Sequence, residues 1–255
     1  MSQNPQIDPI FKKGTNKAAV LLLHGFTGTP DSIRPLANTL HSHGFTVMAP
    51  LLAGHGTTPE QLAQTDWKHW YTSAQAALKT LNKNHEKIFV AGLSMGGLLS
   101  LKLAIDYPKI ISAISCLATP LYLQLWIRLA LPLVRLSPAR IFWKYQKKYT
   151  IDVKDEEAKS NFWSYHLMPL SCVSSLMDLQ DKLRSELSRL KHPLLLMHSR
   201  HDHTAPYGSM GLMASLVSSP ICEMVTLENS YHIITIDNER ELVAKKVTDF
   251  FGRFV

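Results

Sequence analysis

Short apolar runs alternate along this chain with longer stretches in which apolar residues return every three or four positions. The short runs, at residues 19–23, 46–50, 87–91, 111–117, 193–198 and 223–227, read as strands. The longer ones, near residues 30–43, 67–82, 94–106, 207–217 and 239–251, read as amphipathic helices. Strand and helix taking turns in this way predict an α/β domain with a mostly parallel central sheet flanked by helices.

The alternation stops between residues 120 and 191, where the chain is helical in character, rich in Leu, Trp and Tyr, and lacks a run that reads as a buried strand. A helical excursion between two strands of an open parallel sheet belongs above the C-terminal strand ends, over the site. The expected organisation is therefore a core of residues 1–119 and 192–255 with a helical cap inserted at 120–191. Within the cap, Leu121, Leu125, Leu129 and Leu133 recur every four positions, as on one helix face. Arg128, Pro132 and Arg135 interrupt this stretch, and a membrane span needs about 20 mostly apolar residues, so it is not read as one.

Composition narrows the reading further. Apolar residues make up 45% of the 255, enough for an ordered globular core. The formal charge is +7, modest for this length; without a binding motif it does not indicate a nucleic-acid partner. Three scattered cysteines, Cys116, Cys172 and Cys222, suit buried thiols in a reducing compartment better than a disulfide framework. The first residues show no basic-then-apolar signal segment, so the cytoplasm is the expected location.

The most specific chemistry lies at Gly92-Leu93-Ser94-Met95-Gly96, directly after the apolar run ending at Ala91. A strand that turns sharply into a helix at a serine lifts the hydroxyl clear of the sheet edge, where a base can take its proton. The alternative for these five residues alone is a small-residue turn. A serine hydroxyl needs a histidine as base and an acid to orient that histidine, in the chain order Ser, Asp/Glu, His. Asp202 follows the run at 194–197, and His232 follows the run ending at Leu227. Of the twelve histidines only His203 and His232 lie beyond Asp202, and His203, its immediate neighbour, is poorly placed to bridge to a serine on another strand. Taken singly, Asp202 reads equally as a turn acid or helix N-cap, and His232 as a partly buried loop histidine. A metal site built on His198, His201 and His203 around Asp202 is the competing use of that loop, though no orienting carboxylate is evident and no metal or other cofactor is expected.

Acyl chemistry also needs backbone N–H donors where negative charge develops. Met95, after the serine, supplies one. The loop His24-Gly25-Phe26-Thr27-Gly28 supplies the other, assigned to Phe26. The alternative is a glycine-rich turn; a phosphate loop would need a lysine and a spacing absent here.

With these residues in place the chain resembles the α/β-hydrolase superfamily, specifically the small bacterial carboxylesterases and monoacylglycerol lipases. The resemblance spans nearly the whole length and rests on residues 24–28, Gly54-His55-Gly56, Gly92 through Gly97, Asp202 with Pro206, and His232 followed by Ile233-Ile234-Thr235-Ile236-Asp237. It implies Ser94, Asp202 and His232 as a catalytic triad, Phe26 and Met95 as oxyanion donors, and a cap after the sixth strand of the standard sheet. Two departures stand out: Tyr231 where the family usually has glycine before the histidine, and Ser199 and Ala205 where it commonly has Gly and Val around the acid. Relatives that open epoxides or displace halides carry aspartate at the elbow, and Ser94 argues against their chemistry.

The expected activity is hydrolysis of short- to medium-chain acyl esters, monoacylglycerols included. Leu121, Leu125, Trp126, Phe142, Trp143, Phe162 and Trp163 are candidate walls of the acyl pocket, ordinary cap core being the alternative for each. An acyltransferase working through the same acyl-serine, and a non-catalytic ligand-binding protein of the same fold, are the other readings. Arg128, Arg135, Arg140, Lys144, Lys147 and Lys148, with no acid among them, suggest weak peripheral contact with anionic lipid; a solvated cap with snorkelling basic chains is the alternative.

Overall fold

The computed structural model describes residues 7–124, 127, 129, 144–148 and 150–255. In chain order its elements are β1 (Ile10–Lys12), β2 (Ala18–Leu23), α1 (Arg34–Ser42), β3 (Thr46–Ala49), α2 (Pro59–Leu62), α3 (Trp67–Leu81), β4 (Lys87–Leu93), α4 (Met95–Asp106) and β5 (Ile111–Leu117). There follow β6 (Tyr145–Lys147), α5 (Glu156–Asn161), β7 (Leu167–Pro169), α6 (Leu170–Glu186), β8 (Leu194–Ser199), α7 (Gly208–Leu216), β9 (Cys222–Leu227) and α8 (Arg240–Gly252).

Seven strands form one sheet in the order β1-β3-β2-β4-β5-β8-β9, parallel throughout except for β1 against β3. The central strands are buried on both faces, which is why they read as unbroken apolar runs. Along β2, for instance, Ala19, Leu21 and Leu23 pack into one core with α3, α4 and α6. Val20 and Leu22 pack into the other with α1 and α8, where Phe89 stacks on Phe251 at 4.8 Å.

From β2 the chain leaves by α1 to β3 on one side, whereas from β4 it leaves by α4 to β5 on the other. The connections therefore part above the C-terminal ends of β2 and β4, the crevice where open parallel sheets take ligands. Between β5 and β8, β6 and β7 pair as a separate antiparallel ribbon. Three-residue strands such as Tyr145-Gln146-Lys147, half-buried to exposed, carry no apolar run that sequence periodicity could detect. The short edge strand β1, with only Ile10 buried, escapes detection for the same reason.

Helix α6 contributes Leu176, Leu179 and Leu183 to the core that holds α3 and α4. Its Gln180 and Arg184 side chains donate to the carbonyls of Pro120 and Leu121 at 2.7 and 2.8 Å, fixing the chain as it leaves β5. Among the described residues, no helix is long and apolar enough to cross a membrane.

Candidate active site

β4 ends at Leu93 and α4 begins at Met95, so Ser94 alone makes the turn, at φ 54° and ψ −117°. Glycine permits the approach that this requires: a Cβ on Gly92 would collide with the Gly96 carbonyl, and one on Gly96 with that of Leu23. The Ser94 N–H donates to the Leu117 carbonyl at 2.7 Å, tying the apex to β5. Thr27 (φ 61°) and Ala118 (φ 46°) are the other non-glycine residues with positive φ among those described. Each such conformation costs about 1–3 kcal/mol, and all three fall just beyond the ends of β2, β4 and β5.

His232 joins this serine to the acid. Its Nε2 lies 3.0 Å from Ser94 Oγ, and its Nδ1 lies 2.8 Å from Asp202 Oδ2. The other carboxylate oxygen accepts from the Thr204 and Ala205 N–H groups at 2.8 and 2.6 Å. An ionised carboxylate only accepts, so Nδ1 carries the ring proton and Nε2 is left to receive one from Ser94. Burial opposes a charge on His232, but the Asp202 charge and hydrogen bond outweigh it and raise its pKa above 6.5. Burial would likewise raise the Asp202 pKa; the His232 charge and the bonds from His198 and His232 instead hold it well below the usual carboxylate range.

His198 is an addition to the expected set. Its Nε2 donates to the Ala205 carbonyl at 3.2 Å and sits 3.1 Å from Asp202 Oδ2, within ion-pair range of the carboxylate. A strand residue thus approaches the same carboxylate oxygen that His232 meets. His203 turns away to Asp152, with Nδ1 2.8 Å from Oδ1.

The two departures from the family pattern take part in the local structure. Ser199 Oγ donates to the Ser230 carbonyl and accepts from the His201 N–H at 3.1 Å, linking the acid loop to the histidine loop. Tyr231 packs its ring edge-on against His203 at 4.5 Å.

The segment before α5 binds the same loops. The Asp152 carbonyl accepts from the His232 and Ile233 N–H groups at 3.1 and 3.2 Å. Asp237, fully buried, accepts from the N–H groups of Lys154, Asp155, Tyr231 and Asn238 at 2.7–2.9 Å. Replacing Asp237 with alanine strands four amides, so Asp237→Ala is expected to destabilise the fold by about 3 kcal/mol or more. Urea unfolding measures this; a loss below about 1 kcal/mol would show that water replaces the carboxylate freely.

Beside Ser94 stands the loop after β2. A Cβ built on Gly25 would lie 3.4 Å from that of Ser94, and the Gly28 N–H donates to the Gly25 carbonyl at 3.1 Å, closing a turn around Phe26 and Thr27. Neither the Phe26 nor the Met95 N–H donates a hydrogen bond among the described residues. His24 braces the loop: its Nε2 accepts from the Leu52 N–H at 3.1 Å, leaving Nδ1 to donate to the Gly25 carbonyl at 3.0 Å. Burial, against that bond, takes its pKa down to about 4 and keeps it neutral. The His55 ring packs against His24 at 4.9 Å and Phe26 at 6.2 Å, which gives the Gly54-His55-Gly56 motif a structural task.

A cavity of about 280 Å³ opens onto Ser94 and His232, with Leu123, Phe162, Met168 and Leu176 among its apolar walls. Of the expected wall residues, Phe162 lines it. Leu121 does not: held through its carbonyl by Arg184, it is buried in the core with α3 and α4. Trp163 also faces elsewhere, packing on Tyr165 at 4.9 Å beside a neighbouring cleft. Leu125, Trp126, Phe142 and Trp143 lie outside the described residues. Val173 and Leu176, three apart on α6, are wall residues that a helical spacing could have suggested.

The chain is similar to known proteins along nearly its whole length. The sequence pattern of Hydrolase_4, described as "Serine aminopeptidase, S33", matches residues 14–240. A thermostable monoacylglycerol lipase of Bacillus sp. (strain H-257) is 32% identical over 234 residues, 92% of this chain and 90% of the relative. A carboxylesterase of Bacillus subtilis (strain 168) is 31% identical over 246 residues, 96% of each. A solved structure from the metagenome-derived lipolytic enzymes LipS and LipT superposes with a TM-score of 0.90 at 31% identity, covering 98% of both chains. The chain belongs to the α/β-hydrolase superfamily, and within it to the family of the serine aminopeptidase S33 pattern, Hydrolase_4.

Proposed function

We propose that Ser94, His232 and Asp202 carry the carboxylic-ester hydrolysis for which this family membership speaks, through an acyl-serine intermediate. The observation that carries the reading is His232 within hydrogen-bond reach of both Ser94 and Asp202. In the first half-reaction Ser94 Oγ attacks the ester carbonyl as His232 Nε2 takes its proton. The Phe26 and Met95 N–H groups receive the oxyanion, Met95 standing at the positive end of α4. His232 then protonates the departing alcohol. In the second half-reaction it takes a proton from water, which attacks the acyl carbon, and returns that proton to Ser94.

Substrates on this reading are short- to medium-chain acyl esters, monoacylglycerols included. The apolar walls support this, and a volume of about 280 Å³ suits a modest acyl chain. An amino-terminal peptide would set its α-ammonium group beside Lys147 and Lys148 as well as Asp152, so the charges of the lining give that substrate no separate support. The described residues between β5 and β8 serve as a cap over this cavity. Each methylene buried adds at most about 0.8 kcal/mol, roughly fourfold. The kcat/KM of p-nitrophenyl esters from acetate to palmitate is therefore expected to climb a few-fold per methylene and then fall. Ser94→Ala provides the blank, and no turnover at any length contradicts the reading.

Of the basic groups that suggest anionic-lipid contact, Lys148 turns to the cavity. Lys144 and Lys147 are exposed, and Arg128, Arg135 and Arg140 lie outside the described residues. Liposome flotation at low and physiological salt tests this contact; no salt-sensitive binding refutes it. The free thiols of Cys116, Cys172 and Cys222 support a reducing, cytoplasmic location.

A further inference from the structure

Lys148 is a cation inside the reaction cavity that makes no direct ion pair among the described residues, its nearest counter-charge being the more distant Asp152. Its backbone N–H donates to the His166 carbonyl at 2.8 Å, which holds it at the end of β6, and its side chain lines the cavity with Ser94 and His232. Nζ donates to Ser164 Oγ at 2.9 Å and to Thr27 Oγ1 at 3.4 Å. Both partners are neutral hydroxyls, and an ammonium has a third donor to give.

No carboxylate lies within 4.0 Å of this ammonium among the described residues. Asp152 acts on it from further off, but its oxygens already accept from the His203 N–H and ring and from Thr204 Oγ1. The residues outside the described set contain no Asp or Glu, so the chain has no other acid to offer. Burying an unpaired ammonium is costly, and folded proteins pair such charges.

We propose that Lys148 forms an anion subsite, so that the preferred esters carry a carboxylate or phosphate oxygen on the half of the molecule lying against Thr27 and Ser164. This inference rests on the reading of Ser94 and His232 as the reacting groups and narrows the substrate class within it. It also gives Lys148 a second effect: its charge opposes protonation of His232, and a bound anion relieves that opposition.

Burial takes the Lys148 pKa down to about 8, against the pull of Asp152. Preference for anionic esters is therefore expected to decline as pH rises through about 8, where the ammonium loses its proton. The other charged or titratable groups facing it are Asp152, His232 and Lys147 in the cavity, and Lys159, Tyr165 and His166 in the adjoining cleft.

The test compares kcat/KM within matched pairs. The acyl-side pair is p-nitrophenyl hydrogen glutarate against p-nitrophenyl hexanoate; the alcohol-side pair is butyryl glycerol 3-phosphate against monobutyrin. The wild-type protein is expected to favour the anionic member of one pair, which identifies the half of the ester that Lys148 meets. Lys148→Met is expected to lower that anionic-to-neutral ratio by about tenfold or more, and Lys148→Arg to retain most of it. A lysine that merely braces Ser164 would change both members alike. Equal ratios in wild type and Lys148→Met for both pairs overturn the subsite. Should Lys148→Met fail to fold, the wild-type ratio decides: a ratio flat across pH 8 overturns the proposal. If the wild-type protein hydrolyses none of the four esters and Ser94 resists a fluorophosphonate, the underlying reading fails, and the inference with it.

Discussion

Ser94→Ala is expected to lower kcat/KM for ester hydrolysis by about 10⁴-fold or more while leaving the fold intact. The hydroxyl's hydrogen bond is to His232 Nε2, so its removal disturbs no structural contact among the described residues. Alanine adds no atom to the tight turn and meets the same φ of 54° that serine does. On the proposed mechanism the loss falls on the chemistry alone: no acyl adduct forms, and the Phe26 and Met95 amides are left to stabilise charge on an ester attacked by water. Circular dichroism and thermal melting close to wild type, with activity gone, are the expected pair of results. Retention of more than a tenth of the activity would mean that another group performs the attack.

Asp202→Asn is expected to cost about 10⁴-fold in kcat, with a change in pH dependence that a simple loss of packing would not produce. The amide oxygen can keep the Thr204 and Ala205 N–H bonds, which then turns the amide nitrogen toward His232 and His198. Faced with a donor, His232 Nδ1 becomes an acceptor and its proton moves to Nε2, the nitrogen that must take one from Ser94. On the proposed mechanism the neutral imidazole is the active form in the wild-type protein, so kcat/KM is expected to fall as pH drops through a His232 pKa lying above 6.5. Burial depresses that pKa, and the charge and hydrogen bond of Asp202 reverse the effect. Without the carboxylate charge, burial prevails and the residual activity keeps its acid limb at a lower pH. An acid limb that stays in place in Asp202→Asn would show that the carboxylate does not govern the histidine.

Much of this arrangement was legible in the chain because the groups concerned obey local rules. A serine between small residues at a strand-to-helix boundary needs little beyond its own pentapeptide and the run before it. Chain order then singled out His232. The six principal strands were visible because burial on both faces makes each a short apolar block. Other features were hidden where no local rule applies. Strands β1, β6 and β7 are three residues long, and pairing partners rather than periodicity define them. Leu121 and Trp163 carry the apolar character of a pocket wall, yet backbone anchors and neighbouring rings decide where each points. Lys148 sat in a basic run that suggested a surface, and only its bonds to Thr27 and Ser164 reveal that it turns inward. The grip of Asp237 on four amides joins segments whose proximity the sequence does not state.

The most direct measurement is peptide mapping after treatment with a fluorophosphonate that reacts with activated serine hydroxyls. One adduct per chain on Ser94, formed in step with loss of esterase activity and abolished in His232→Ala, is the predicted result. An adduct on another residue, or none while ester hydrolysis is fully inhibited by the same reagent, would contradict it.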